Sequence, residues 1–431
     1  MFGLNNRFSA TGDGKKRRLP VFSISLVACY LVVSAIFFVY GFGEGRAQPA
    51  APAEQPVEVL TVAPQIGMPE VAPEPQVYLD DSIPLPPPVQ VRGIWVGAWF
   101  SGDSERMKNF IDLVETTELN TIVLDLKEEH GHVTFLTDNE IISGTARDLV
   151  PNIEELVADM QSRGIYVIGR IVCFKDPIWS FRNPELSHRD NAGNRWTDRN
   201  GVGWLNPYNR DNWEYLVEIG REGARLGFDE IQLDYVRFPV EGRLSDIYFG
   251  QAGEEQTRAE IIAEFAGFMR DEMHKLGVRV SADVFAISGI SDRDAELLGQ
   301  EFELLLPNLD AISPMIYPSH FANEGEGAFG NGVGSVINGV LFTRPALEPH
   351  GVVYNTLQHF KRRMEPNNPN QAVMRPFIQN STDAFLGEGF FIPYGAEEVL
   401  AQIQAVYDAG FDQWLLWSNV SRYSEDAFRD S

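Results

Sequence analysis

The stretch Glu230-Ile231-Gln232-Leu233-Asp234-Tyr235-Val236-Arg237-Phe238-Pro239 reads as a buried strand that runs into polar and aromatic residues at its C-terminal end. Pro239 has no N–H to give to a ladder, so the strand ends before it. Alternation with a period of two puts Gln232, Asp234 and Val236 on one face, and Ile231, Leu233 and Tyr235 on the other. A carboxylate inside a strand is costly to bury without a partner. Asp234 is therefore either a structural acid satisfied by the backbone or an arginine, or a working carboxylate at a strand end.

Around this stretch one pattern recurs: a helical run, a glycine, then an apolar strand. Gly164, Gly227, Gly277 and Gly410 hold the middle position. A glycine just past a helix takes the left-handed cap that other residues resist. The repetition signals an α/β protein with parallel strands. Eight strands are expected, near 91–99, 121–127, 166–174, 230–236, 279–286, 311–317, 374–380 and 413–419. Helical spacing fills most of the gaps, as in Met107, Phe110, Ile111 and Val114 after Asp103 and Ser104, where an N-cap is expected. Eight β/α units across residues 91–431 predict a (β/α)₈ TIM barrel with enlarged loops. The alternative is a doubly wound open sheet, but no glycine-rich phosphate loop follows the first strand.

Barrel chemistry gathers at the C-terminal ends of strands, and here those ends are polar or aromatic. Strand two ends in Asp125-Leu126-Lys127-Glu128-Glu129-His130, strand four holds Asp234, Tyr235 and Arg237, and strand five holds Asp283. Strand six ends in Tyr317-Pro318-Ser319-His320, strand seven in Gln379-Asn380, and strand eight in Trp417-Ser418-Asn419. Three strand-end carboxylates with Lys, Arg, Asn and Trp around them read as a site. The long stretch 175–210 carries Trp179, Phe181, Trp196, Trp204 and Tyr208, which either stack on sugar rings or pack the loop onto the barrel; 318–350 is glycine-rich and irregular. His130 and His132 near Asp125 offer a competing metal-assisted chemistry.

The chain has 431 residues and a formal net charge of −26. Lys15-Lys16-Arg17-Arg18 precede Val21–Phe42, 22 residues without a charge. That length spans a bilayer as a helix, and the basic flank predicts the N-terminus inside and the rest outside. The expected layout is a cytoplasmic tail at 1–20, a transmembrane signal anchor at 21–42, a Pro-rich linker at 43–90 and the barrel at 91–431. Cleavage after Ala47 is the alternative and gives a secreted protein. The linker reaches on the order of 100 Å if semi-extended. Residues 1–47 carry six basic and two acidic side chains, so the remainder is net −30. Such a domain is a poor binder of nucleic acid or anionic polymers, and neutral or cationic substrates suit it better. With Cys29 and Cys173 alone, neither an intramolecular disulfide nor a cysteine metal site is expected.

LDYVRFP at 233–239, VLDLKEEHGHVTF at 123–135 and SPMIYPSHF at 313–321 resemble the putative glycosyl hydrolase domain family of bacterial envelope proteins (domain of unknown function 4015). The resemblance covers roughly residues 92–425. It implies a TIM barrel distantly related to α-amylase-type hydrolases. The amylase pattern carries Arg-x-Asp on strand four, Glu on strand five and His-Asp on strand seven. This sequence has Gln232-x-Asp234, Asp283 and Gln379-Asn380 in those places.

The resulting expectation is a membrane-anchored glycoside hydrolase acting, without a cofactor, on an envelope or extracellular polysaccharide. Asp234 is the favoured nucleophile, held charged by Arg237, in a retaining pair with Asp283 as the acid; an inverting geometry, from the shorter reach of Asp283, is the alternative; Asp125, tuned by Lys127, is a third member. Lys127, Arg237, Tyr235, Tyr317, His320, Gln379, Asn380, Trp417 and Asn419 are the expected substrate-binding residues. The alternatives are a non-catalytic glycan-binding barrel and a metal-assisted hydrolase using His130, His132 and Asp125.

Overall fold

The structure, a computed structural model, describes residues 83–366 and 368–428. The expected transmembrane helix and most of the linker lie outside the described residues, and no described helix is long and apolar enough to cross a membrane.

Eight parallel strands close into one barrel. They are β1 Arg92–Val96, β2 Thr121–Lys127, β3 Tyr166–Val172, β4 Glu230–Asp234, β5 Arg279–Phe285, β6 Ala311–Ile316, β7 Phe377–Gln379 and β8 Trp414–Trp417. Each pairs with its successor, and β8 pairs with β1, so no edge is left open and the doubly wound alternative falls. Helices follow the first seven strands: α1 Ser104–Thr116, α2 Ile153–Ser162, α3 Asp211–Arg225, α4 Arg258–His274, α5 Asp292–Leu298, α6 Pro349–Lys361 and α7 Ala396–Asp408. Among the described residues β8 is followed only by a 3₁₀ turn, Glu425–Ala427.

Local chemistry explains the punctuation. The Asp103 side chain accepts from the N–H groups of Glu105 and Arg106 and starts α1. Gly164, Gly227, Gly277 and Gly410 have φ of 80°, 93°, 73° and 83°, the conformation a Cβ resists, where a helix turns back into a strand. Outward residues such as Ile122, Leu124 and Leu126 pack with Ile111, Val114 and Val157 of the helices in the main core. Inward residues Trp95, Val123, Tyr166, Ile168, Phe377 and Leu415 form a second, smaller apolar cluster inside the barrel.

Two strands depart from regular alternation. The fourth was expected to run to Val236 but stops at Asp234, because Tyr235 turns into the left-handed region (φ 48°). In β2 the register shifts between Asp125 and Lys127, a bulge that separates two residues expected to share a face.

The 175–210 insertion does not offer its aromatics to the mouth. Trp196 and Trp204 are buried, and Trp179 stacks on Tyr215 with centroids 4.1 Å apart. Tyr208 donates its hydroxyl to Gln256 O. Of the five aromatic residues expected there, Phe181 alone is exposed. The β6–α6 connection instead carries a hairpin, Ser335–Ile337 with Val340–Phe342, beside the mouth. At the opposite end, Ile83 N–H donates to Lys275 O and Arg279 donates to Pro86 O, so the chain enters along the barrel's base.

Candidate active site

The interior face of β4 carries Glu230, Gln232 and Asp234 from base to mouth. At the base, Glu230 accepts from both terminal nitrogens of Arg375, from Ser281 Oγ and from Tyr166 Oη. One step up, both amide atoms of Gln232 and the hydroxyl of Ser313 are enclosed without a partner. Polar side chains thus run along this face of β4 from base to mouth, but the Gln232 amide joins neither pair among the described residues.

At the mouth, Asp234 Oδ2 accepts from Arg170 Nε at 3.0 Å and Nη2 at 2.6 Å, while Oδ1 accepts from Tyr235 N at 2.6 Å. The left-handed turn at Tyr235 aims that N–H back at the carboxylate. Arg170 also donates from Nη1 to Asp125 Oδ1 at 2.7 Å. Burial opposes the Arg170 charge, but Asp234 and Asp125 outweigh it and hold the guanidinium well above its ordinary pKa. Arg237, expected to hold Asp234, makes no ion pair with it; its Nη1 donates to Phe238 O. Arg170 was missed in the sequence. A charged residue in the apolar run Tyr166–Val172, in phase with inward Tyr166 and Ile168, was the signal that marks it.

Asp283 is the neighbour of Asp234 on β5. Leu233 is in register with Ala282, so the two acids, each the next residue, lie side by side, Asp234 at the end of β4 and Asp283 two residues short of the end of β5. Burial pushes the Asp283 carboxyl well above the usual range, and the nearby Asp234 adds to the shift against Arg170 and Arg375. Its Oδ1 is enclosed with no hydrogen-bond partner among the described residues.

Asp125 has a different part. Its oxygens take Trp95 Nε1 at 3.0 Å, Ala98 N at 3.2 Å and Arg170 Nη1, and burial raises its carboxyl against those donors. It orients Arg170 and does not line the cavity. Lys127 does not tune Asp125. Past the bulge, its ammonium donates to Val172 O at 2.6 Å and pairs with buried Asp176 at 3.0 Å.

A cavity of about 250 Å³ opens over the acid pair. Of the expected residues, Asp234, Asp283, Tyr235, Arg237, Tyr317, His320 and Trp417 line it, joined by Glu129, Arg170 and Phe285. Burial raises the Tyr317 hydroxyl and lowers the His320 imidazole from their ordinary values. Trp417 forms a wall, stacked 3.9 Å on Trp95, with Arg170 5.5 Å from its ring centre. Gln379, Asn380 and Asn419 are not part of the lining. Gln379 is spent on Ser319, Ser381 and Asp383. Asn380 ties Arg422 O and Ser424 N, and Asn419 is exposed. Strand seven thus braces the loops around the mouth.

The metal alternative loses its expected ligand set. Asp125 is engaged elsewhere, and the acids and histidine within 4.8 Å of one another are Glu128, Glu129 and His130. The Glu128 carboxylate already accepts from the N–H groups of His130 and His132 and bonds His130 Nδ1.

The sequence model of the family described as "Putative glycosyl hydrolase domain" matches residues 93–423, the whole barrel. The chain belongs to this family. No curated protein matches it. Among solved structures, a hypothetical protein from Ruminiclostridium thermocellum is 37% identical over 44% of this chain and 97% of its own, with a TM-score of 0.41. The glycoside hydrolase domain of PgaB (BpsB) from Bordetella bronchiseptica is 12% identical and covers 77% of this chain and 95% of its own, with a TM-score of 0.55; that similarity is one of fold. An α-galactosidase from Thermus thermophilus is 13% identical over 79% of this chain and 60% of its own, with a TM-score of 0.46. The family member described here is thus a closed parallel barrel with paired acids at its mouth.

Proposed function

We propose that this protein hydrolyses glycosidic bonds of a polysaccharide, with Asp234 as nucleophile and Asp283 as general acid. The carrying observation is the contrast between two adjacent acids in one cavity. Burial, and then the neighbouring Asp234, push the Asp283 carboxyl well above the usual range, while both oxygens of Asp234 accept hydrogen bonds. Environments that treat two neighbouring acids differently are what acid and nucleophile roles require. In the first step an Asp234 oxygen bonds to the anomeric carbon, the bond to the leaving oxygen breaks, and Asp283 gives that oxygen its proton. Water then attacks the glycosyl ester, returns a proton to Asp283 and frees Asp234. Trp417 supplies an aromatic face for a sugar ring. The family and the kinship in fold with a glycoside hydrolase domain support the reaction class.

The test is release of new reducing ends from a polysaccharide panel by the full-length protein, with D234N and D283N alongside. Both variants are expected to lose the activity. A D234N protein as active as the parent removes Asp234 from the mechanism, and binding without turnover by the parent favours the glycan-binding alternative.

The basic cluster and uncharged run at 15–42 further suggest a membrane anchor with the barrel outside the cytoplasm, on an envelope substrate. Because Ile83 and Pro86 lie at the barrel's base, such a tether would join the domain at the end opposite the mouth. A reporter fused at residue 60 that is active only in the cytoplasm overturns this placement.

A further inference from the structure

Arg237 is a buried cation that the acid-pair chemistry leaves unused. It is 2% exposed, yet its one hydrogen bond runs from Nη1 to Phe238 O at 3.0 Å. Arg170, equally buried, spends three donors on two carboxylates. A guanidinium has five N–H donors, so four of Arg237's remain unspent among the described residues. Three rings box it in: Phe285, Trp204 and Tyr235, with centroids 4.6, 4.8 and 5.0 Å from Cζ. Rings attract a cation but accept no strong hydrogen bond in the guanidinium plane. Burial pushes its pKa below the ordinary arginine value, against the pull of Tyr235, Asp234 and Glu241.

No nearby acid closes the account. Asp234 is engaged by Arg170. Asp198 accepts from Asn200 N, Val202 N and Trp204 Nε1. Glu241 makes no ion pair with Arg237; its Oε2 is enclosed without a partner, and burial raises its carboxyl. A buried charge without a hydrogen-bonded counter-ion is unfavourable. Arg237 lines the cavity, so the cavity is where those donors find an acceptor. Lys175 lies behind the lining, with Nζ 4.8 Å from the Tyr235 ring centre and facing Glu129.

We propose that this end of the cavity is a subsite for a carboxylate carried by the sugar, such as a uronic acid residue, with Arg237 as its planar two-pronged donor and the ring box fixing the guanidinium. A carboxylate matches the fork in geometry and supplies the missing charge. The net charge of −24 on residues 91–431 disfavours densely charged polyanions at long range, so the glycan that fits carries its carboxylates sparsely. The inference deepens the glycoside-hydrolase reading and relies on it for the sugar ring, though not for bond cleavage.

Methyl glucuronide and methyl glucoside, taken as both anomers, differ only at C6 and test the subsite by calorimetry on the full-length protein. The glucuronide is expected to bind about tenfold tighter or more, the effect of charge-assisted hydrogen bonds in a shielded site. R237M and R237Q should abolish the preference, and R237K should keep part of it. R237M should also melt no lower than the parent, since it removes a buried charge with no hydrogen-bonded protein counter-ion. Equal affinity of the parent for the two glycosides overturns the proposal, and so does a preference that survives in R237Q or R237M. Neither probe needs to be cleaved. Arg237-dependent glucuronide binding without turnover keeps the subsite and defeats the hydrolase reading; turnover with no response to the C6 charge does the reverse.

Discussion

Glu230 and Asp234 lie four residues apart on the same interior face of β4, each joined to an arginine from elsewhere in the barrel. Below, Arg375, Ser281 and Tyr166 surround Glu230, and none of the four lines the cavity. Above, Arg170 holds Asp234, but on its other sides are open cavity and a second acid, Asp283. An acid paired with an arginine is common to both places. The third neighbour differs: hydroxyl groups complete the lower pair, while a second carboxyl stands against the upper one and is pushed toward its neutral form by burial and by Asp234. An acid–arginine pair therefore says little about function until its surroundings are known.

The sharpest way to break this comparison is to neutralise each acid in turn. D234N should lower turnover by about three orders of magnitude or more, since the nucleophile is gone. E230Q, measured per folded molecule in the same assay, should keep most of the parent rate. Equal losses would mean the two pairs are not functionally distinct.

Stability should reverse the order. E230Q leaves Arg375 buried without its anion, and breaking a buried pair costs about 3–5 kcal/mol. D234N leaves Arg170 with Asp125 and should cost clearly less. Denaturant unfolding of the two variants decides this, and equal costs would make the mouth pair as structural as the basal one.

Asp283 offers a finer test through pH. Its folded pKa is raised, so above about pH 4, the ordinary value of an unfolded Asp, the unfolded chain has released a proton that the folded chain keeps. Its contribution to stability is full below that pH and is lost as pH rises through the folded value. D283N should remove that slope and be relatively more stable at neutral pH. Turnover by the parent should fall over the same upper range as the acid loses its proton. A stability difference between parent and D283N that does not vary with pH would sink the assignment.

The smallest effect is expected between the two pairs. Both amide atoms of Gln232 lack a protein partner, so Q232M should change stability by less than about 1 kcal/mol. A loss above about 2 kcal/mol in the same unfolding experiment would show that the amide is part of a hydrogen-bonded floor linking base to mouth.

What could be read from the chain alone was local and periodic. The eight strands follow from apolar runs, four of them entered through a glycine cap, and those four glycines take the positive φ that their places after helices implied. Asp234, Asp283 and Trp417 were legible at the mouth because strand ends in a parallel barrel share one rim. The family motifs also lie in the linear sequence. Partnership was not legible. Arg170 reaches Asp234 because β3 and β4 are neighbours in register, with Val172 opposite Asp234. Lys127 is lost to the site through a one-residue bulge that alternation cannot foresee. Gln379 and Asn380 sit at a strand end like the acids, but loop residues brought close by folding take up their hydrogen bonds. The insertion's tryptophans looked the same whether packed or presented, since composition carries no direction. Which groups meet, and which stay unpaired facing the cavity, is set by register and closure, contacts between residues far apart in the chain, and those exist only once the barrel has formed.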